Sequence, residues 1–180
     1  MRTFEDAAWQ HFVGLGLQYF VAGRFAANAE LVPVSGNLLH HAVEMLLKAC
    51  LVSQVSMAEL KRTGHDLTRL WQQAVEYWPE IQTPAHSTTI AELQRFERLR
   101  YPDSAIADGA AMTLTLAPSW DRAHFRSADT SVPQYYLALS GVDALFRELF
   151  KKADANPEVF VRGLSTAAQT AFGNANAHSF

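Results

Sequence analysis

The stretch 37–51, NLLHHAVEMLLKACL, decides how this chain reads. Leu38, Leu39, Ala42, Val43, Met45, Leu46, Leu47, Ala49, Cys50 and Leu51 make it apolar on most of its circumference. A helix of that kind is normally buried among other helices. One polar stripe interrupts it. At about 3.6 residues per turn, His40, His41, Glu44 and Lys48 fall within a sector of roughly 100°. A central helix with such a stripe carries either a site or a buried ion pair.

Upstream, Thr3 can cap a helix running to about Ala29, with Phe4, Ala8, Phe12, Leu15, Tyr19, Ala22 and Ala26 at helical spacing. Gly14, Gly16 and Gly23 lie inside it. Each costs up to about 1 kcal/mol relative to Ala, and such glycines let a second helix approach closely. Residues 31–36, LVPVSG, read as the connection to the central helix.

Downstream, Ser56 and Glu59 have capping-box spacing for a short helix to Arg62. Thr63-Gly64 turns the chain, and Asp66 caps a helix that Pro79 ends. Thr89 and Glu92 make another capping box, before a helix with Ile90, Leu93, Phe96 and Leu99 inward. Arg95, Arg98 and Arg100 cluster on or near its other faces, and Pro102 biases Tyr101 away from helical geometry. Residues 103–130 change character. MTLTL at 112–116 alternates with period two, and Asp108-Gly109 is a hairpin-type turn. The segment is either a small β-hairpin or a long loop on the bundle, anchored by Trp120 and Phe125. Ser131, Pro133 and Gln134 start a long helix that ends at Lys151-Lys152. Asn156-Pro157-Glu158 starts a last one, stopped by Gly173, and the tail beyond is frayed. The reading is a single all-α domain, an up-and-down bundle with core helices at about 4–29, 37–53, 66–78, 89–100, 132–153 and 157–172.

The 180 residues suit one domain with a sizeable core. Hydrophobic content of 49% with 18% charged residues is that of an ordinary soluble globule. A net charge of −3 and a pI near 6.1 argue against broad electrostatic binding of nucleic acid, so no DNA is expected as a partner. The lone Cys50 allows no internal disulfide and suits a reducing compartment. The N-terminus carries acids early and lacks a signal pattern, and no apolar run reaches the roughly 20 residues of a membrane span. The expected location is cytoplasmic, with no membrane partner.

Four segments in order resemble the HEPN domain, a nucleotide-binding helical domain of prokaryotes and higher eukaryotes. They are Tyr19-Phe20-Val21-Ala22-Gly23-Arg24-Phe25-Ala26, then His40-His41-Ala42-Val43-Glu44-Met45-Leu46-Leu47-Lys48-Ala49, then Gly64-His65-Asp66-Leu67, then Phe96-Glu97-Arg98-Leu99-Arg100-Tyr101-Pro102-Asp103. The resemblance covers Thr3 to Asp103, and reaches the helix after Ser131 by architecture only. It implies a bundle of four or five helices, often dimeric. It also implies either a metal-independent ribonuclease or a module that binds nucleotides or partners without catalysis. The family's ribonuclease motif is an Arg and a polar residue followed, after four to six intervening positions in all, by a His. Arg62 meets His65 too soon, Arg122 meets His124 too soon, and no other arginine has the required histidine. The sequence therefore departs from the catalytic pattern.

The candidate ligand-binding residues are His41, Glu44, Lys48, His65, Arg98, Arg100 and Tyr101. Lys48 can meet a phosphate with Glu44 orienting it, or the two form an i,i+4 pair, exposed or buried. His65 sits where a helix N-terminus favours anions, or is a hydrogen-bonded capping-region residue. Arginine forks suit phosphate, and Tyr101 can stack a base; alternatively, the arginines form a solvated face bridged to Glu92 and Glu97. The seven histidines show no metal-ligand spacing along the chain, and no cofactor or metal is expected. The function expected is non-catalytic binding of a nucleotide, an RNA or a partner protein, in a groove lined by Lys48, His65, Arg98 and Arg100. The rivals are a divergent endoribonuclease of a toxin or defence system, and a purely structural homodimerisation domain.

Overall fold

The computed structural model describes residues 4–101, 103, 108–115 and 131–175. These residues are mostly helical, as the all-α reading expects, and include a small parallel sheet. Helix α1 spans Phe4–Asn28 and packs along α2, Val32–Leu51. Two glycines set that approach. A Cβ on Gly23 would lie 2.8 Å from Leu39, and one on Gly16 3.2 Å from Leu46. Gly14 has no such neighbour.

Helix α2 begins at Val32, five residues before the sequence reading placed it. Pro33 lies in its first turn, where a missing N–H costs no helical hydrogen bond. The connection shrinks to residues 29–31, with Glu30 in a left-handed conformation at φ 58. Gly36 is thereby a helical residue facing Phe96 of a neighbouring helix. From Leu39 to Val52 almost every side chain is buried, so α2 is the central helix.

The short α3, Met57–Thr63, is capped by Ser56, whose Oγ accepts from the Glu59 amide at 3.2 Å. Gly64 turns the chain at φ 65. Asp66 caps α4, Leu67–Tyr77, by accepting from the Arg69 amide at 3.0 Å. Helix α5 spans Pro84–Phe96 and continues as a 3-10 turn, Glu97–Arg100. Its cap is Thr83, which accepts from the His86 amide at 3.1 Å. The expected cap Thr89 is instead interior, its hydroxyl donating to the Ala85 carbonyl. Pro84 in the first turn tolerates the earlier start.

The period-two segment is a strand, but not half of a hairpin. Strand β1, Ala111–Thr115, pairs in parallel with β2, Gln134–Ala138, in the register Ala111↔Gln134 to Thr115↔Ala138. Parallel pairing needs a crossover rather than a tight turn. Residues 134–138, QYYLA, were expected to begin a helix. Two adjacent tyrosines favour a strand once a partner edge is present, and tertiary pairing overrides the capping-box pattern at Ser131 and Gln134. Trp120 and Phe125 lie outside the described residues.

Helix α6, Leu139–Lys152, follows β2 directly. Phe146 stacks on Phe20 of α1 at 4.0 Å between ring centroids. Arg24 of α1 pairs with Asp143 of α6 at 3.4 Å, both buried. The last helical segment is divided into α7, Pro157–Val161, and α8, Thr166–Ala175. Ser165 caps the second piece by accepting from the Ala168 amide, so the expected single helix restarts there. Gly173 does not end α8. Trp9 Nε1 donates to the Ala153 carbonyl at 2.8 Å and ties α1 to the end of α6.

Candidate functional site

The polar stripe of α2 faces inward, towards the α3–α4 turn and the end of α5. Glu44 is fully buried, yet its carboxylate is well supplied with donors. Lys48 Nζ donates to Oε1 at 2.6 Å, His41 Nδ1 to Oε2 at 3.0 Å, and His65 Nδ1 lies 3.0 Å from both oxygens. Burial alone would raise the Glu44 pKa. The hydrogen bonds from His41, Lys48 and His65 outweigh it and bring the pKa down to about 2. An ionised carboxylate only accepts, so Nδ1 of both imidazoles carries the hydrogen.

His40 lies one position back on α2, with its ring fully enclosed. Nδ1 is 3.1 Å from the Leu93 carbonyl of α5, and Nε2 is 3.2 Å from the His65 carbonyl. Burial pushes its pKa down, against the Leu93 carbonyl and the carboxylates of Glu97 and Glu44. A neutral ring donates to one of the two carbonyls. Glu97 Oε2 lies 3.7 Å from His40 Nε2, and its Oε1 accepts from Arg100 Nη1 at 3.3 Å. Hydrogen bonds thus link Lys48, Glu44, His65 and His40, and the Glu97–Arg100 pair lies beside His40 without a hydrogen bond to it.

No family model, curated protein or solved structure matches this chain.

The functional reading therefore rests on the cluster itself. Five of the seven expected residues belong to it: His41, Glu44, Lys48, His65 and Arg100. Arg98 and Tyr101 flank Arg100 and are exposed. Accessibility divides the roles. The Lys48 side chain is only 11% exposed and committed to Glu44, whereas that of His65 is 59% exposed. His65, Arg98, Arg100 and Tyr101 can meet a ligand; Glu44 and Lys48 hold the site in place. Arg95 points elsewhere: its guanidinium donates to the Gln134 carbonyl and lies 5.5 Å from the Tyr135 ring centroid, bracing β2.

Two amides at the start of α4 are already taken. The Leu67 amide donates to Gln94 Oε1 at 2.7 Å and the Arg69 amide to Asp66. An anion at His65 would meet side chains more readily than these amides. Sequence reasoning placed His40 in the stripe but gave it no role, and treated Glu97 only as a salt-bridge partner. The signal for both is spacing: Leu93 and Glu97 are one helical turn apart on the element that faces α2. A further feature had no signal in one dimension. An open cleft of about 530 Å³ between α1 and α3 is lined by His11, Phe12, Lys48, Met57, Leu60 and Lys61, among others. Lys48 separates it from Glu44. Among the described residues no helix is long and apolar enough to cross a membrane.

Proposed function

We propose that the chain is a HEPN-type helical module that binds a phosphate-bearing ligand, a nucleotide or an RNA end, without cleaving it. The observation that carries this reading is the hydrogen-bonded cluster of Lys48, Glu44, His41, His65 and His40, with the Glu97–Arg100 pair beside it and His65 and Arg100 at the exposed edge. The buried Glu44 carboxylate fixes the His65 ring, and Glu97 restrains the Arg100 fork. Donors held in this way lose little conformational freedom when an anion arrives. Arginine suits phosphate bidentately, and the exposed Tyr101 offers a face for a base. The overall negative charge fits a local site better than a long nucleic-acid track.

The test is a thermal shift and a calorimetric titration with adenosine nucleotides and a 5′-phosphorylated oligoribonucleotide, in EDTA. A bound ligand raises the melting temperature. Arg100→Ala should weaken binding at least about tenfold, equivalent to about 1.4 kcal/mol. Absence of binding by the wild-type protein would reject the reading. A concentration-dependent dimer with no ligand would favour the structural dimerisation domain in its place.

One observation favours a second reading. His65 donates from Nδ1 to a buried carboxylate, which orients the ring and places the lone pair of its neutral form on Nε2, as in a general base. RNA cleavage in EDTA that disappears in His65→Ala would identify the chain as a divergent ribonuclease.

A further inference from the structure

We propose that His41, Glu44 and His65 form a binding site for a divalent first-row transition-metal ion. This goes beyond anion binding and stands independently of it. The three side chains come from two separate segments: His41 and Glu44 from one face of α2, His65 from the turn before α4. Both imidazole nitrogens converge on one carboxylate oxygen. His41 Nδ1 and His65 Nδ1 each lie 3.0 Å from Glu44 Oε2. Two ligands at right angles, each about 2.1 Å from an ion, are about 3.0 Å apart. Nitrogen and oxygen atoms of His40, His41 and Glu44 also lie within 4.8 Å of one another.

The surroundings suit an ion held through Oε2. Oε1 is occupied by Lys48 at 2.6 Å, which fixes the carboxylate plane and leaves Oε2 to coordinate. Outer partners of this kind orient metal ligands. His40 holds the carbonyl of His65 and so positions the backbone of that ligand. Its own ring nitrogens face carbonyls, which makes it a positioning residue and not a ligand. The exposed side of His65 gives the ion a route from solvent and leaves room for water. Two imidazoles and one carboxylate suit zinc, iron, nickel or cobalt rather than calcium or magnesium. On binding, each neutral imidazole gives its Nδ1 position to the ion and carries its hydrogen on Nε2. The proton moves from one nitrogen to the other through solvent, so proton number and charge on the rings are unchanged.

The experiment uses tag-free, EDTA-treated and dialysed protein, titrated with Zn²⁺ by calorimetry and with Co²⁺ by visible absorption. The expected result is one saturable equivalent, a cobalt ligand-field band and a raised melting temperature. His65→Ala, at an exposed position, should weaken binding at least tenfold while the helical circular dichroism persists, and His41→Ala should do likewise. His11→Ala and His86→Ala should bind as the wild type does. Absence of a saturable equivalent, or unchanged binding in His65→Ala, would overturn the site. Because nucleotide binding is measured in EDTA, failure here leaves that result standing, and the converse holds.

Discussion

His65 Nδ1 lies 3.0 Å from both oxygens of Glu44, a residue 21 positions away and fully buried. An exposed ring therefore closes over a carboxylate that water does not reach, and the α3–α4 turn is fastened to the middle of α2. Removing one partner of a buried charged group typically costs about 3–5 kcal/mol, because the other charge is left uncompensated. Glu44→Ala should lower the unfolding free energy by about 3 kcal/mol or more. Lys48→Met leaves two imidazoles on the carboxylate and keeps an apolar stem, so its loss should be less than half as large. Urea denaturation at neutral pH compares them. Equal losses would mean that the ammonium alone holds the carboxylate and that the imidazoles contribute little.

The contact between Gly36 and Phe96 makes a second prediction. A Cβ at Gly36 would lie 2.1 Å from Phe96 Cδ1, with Phe96 itself fully buried. The ring cannot yield without displacing its neighbours, and overpacking of this kind costs about 3 kcal/mol. Gly36→Ala should destabilise by that order, and Phe96→Leu in the same chain should recover part of the loss. Gly14 is the control. It is helical with nothing near its missing Cβ, so Gly14→Ala should gain up to about 1 kcal/mol from helix propensity. Thermal and chemical denaturation of the wild type, the two single variants at Gly36 and Phe96, their double variant and Gly14→Ala decides it. Losses that simply add in the Gly36→Ala, Phe96→Leu double variant would show that the two residues do not share one space.

These sites show which parts of the chain were legible in one dimension. The central helix and its polar stripe were, because burial and stripe are both periodic in sequence. The caps at Ser56 and Asp66 were, because capping is local chemistry. Thr89 and Ser131 carried the same local pattern and did not cap, since Pro84 and strand pairing supplied stronger constraints from outside the motif. The convergence of His65 on Glu44, and the pairing of Arg24 with Asp143, join residues far apart in the chain. Their partners are set by how the helices pack, which no short window contains. The parallel sheet is the same case: β1 could be recognised by alternation, but its partner lies far along the chain, beyond any short window.

Cys50 supplies a chemical test of the packing around α2. Its thiol is buried, its Sγ lies 3.4 Å from the Leu149 carbonyl, and burial pushes its pKa up to about 12. The thiolate is the reactive form, so the native protein should react with a disulfide reagent at pH 8 only through opening of the fold. Labelling should be at least about a hundredfold slower than in urea-unfolded protein, a ratio that sets a lower bound of about 2.7 kcal/mol on the opening that exposes it. Rapid labelling under native conditions would mean that the contact between α2 and α6 is open to solvent.

The acid limb of stability should carry the signature of Glu44. Its folded pKa, about 2, lies below the ordinary value of 4.5, so the folded state prefers the ionised carboxylate more strongly than the unfolded state does. The resulting stabilisation is fully present above pH 4.5, shrinks as pH falls through the interval from 4.5 to 2, and is gone below it. At about 1.4 kcal/mol per unit the difference amounts to about 3 kcal/mol. Unfolding free energies of the wild type and Glu44→Gln, both in EDTA, should therefore differ by a constant amount from pH 7 to 5 and converge as the solution is acidified further. A gap that stays constant down to pH 2.5 would show that the carboxylate stabilises the fold by shape and hydrogen bonding alone, with its charge contributing nothing.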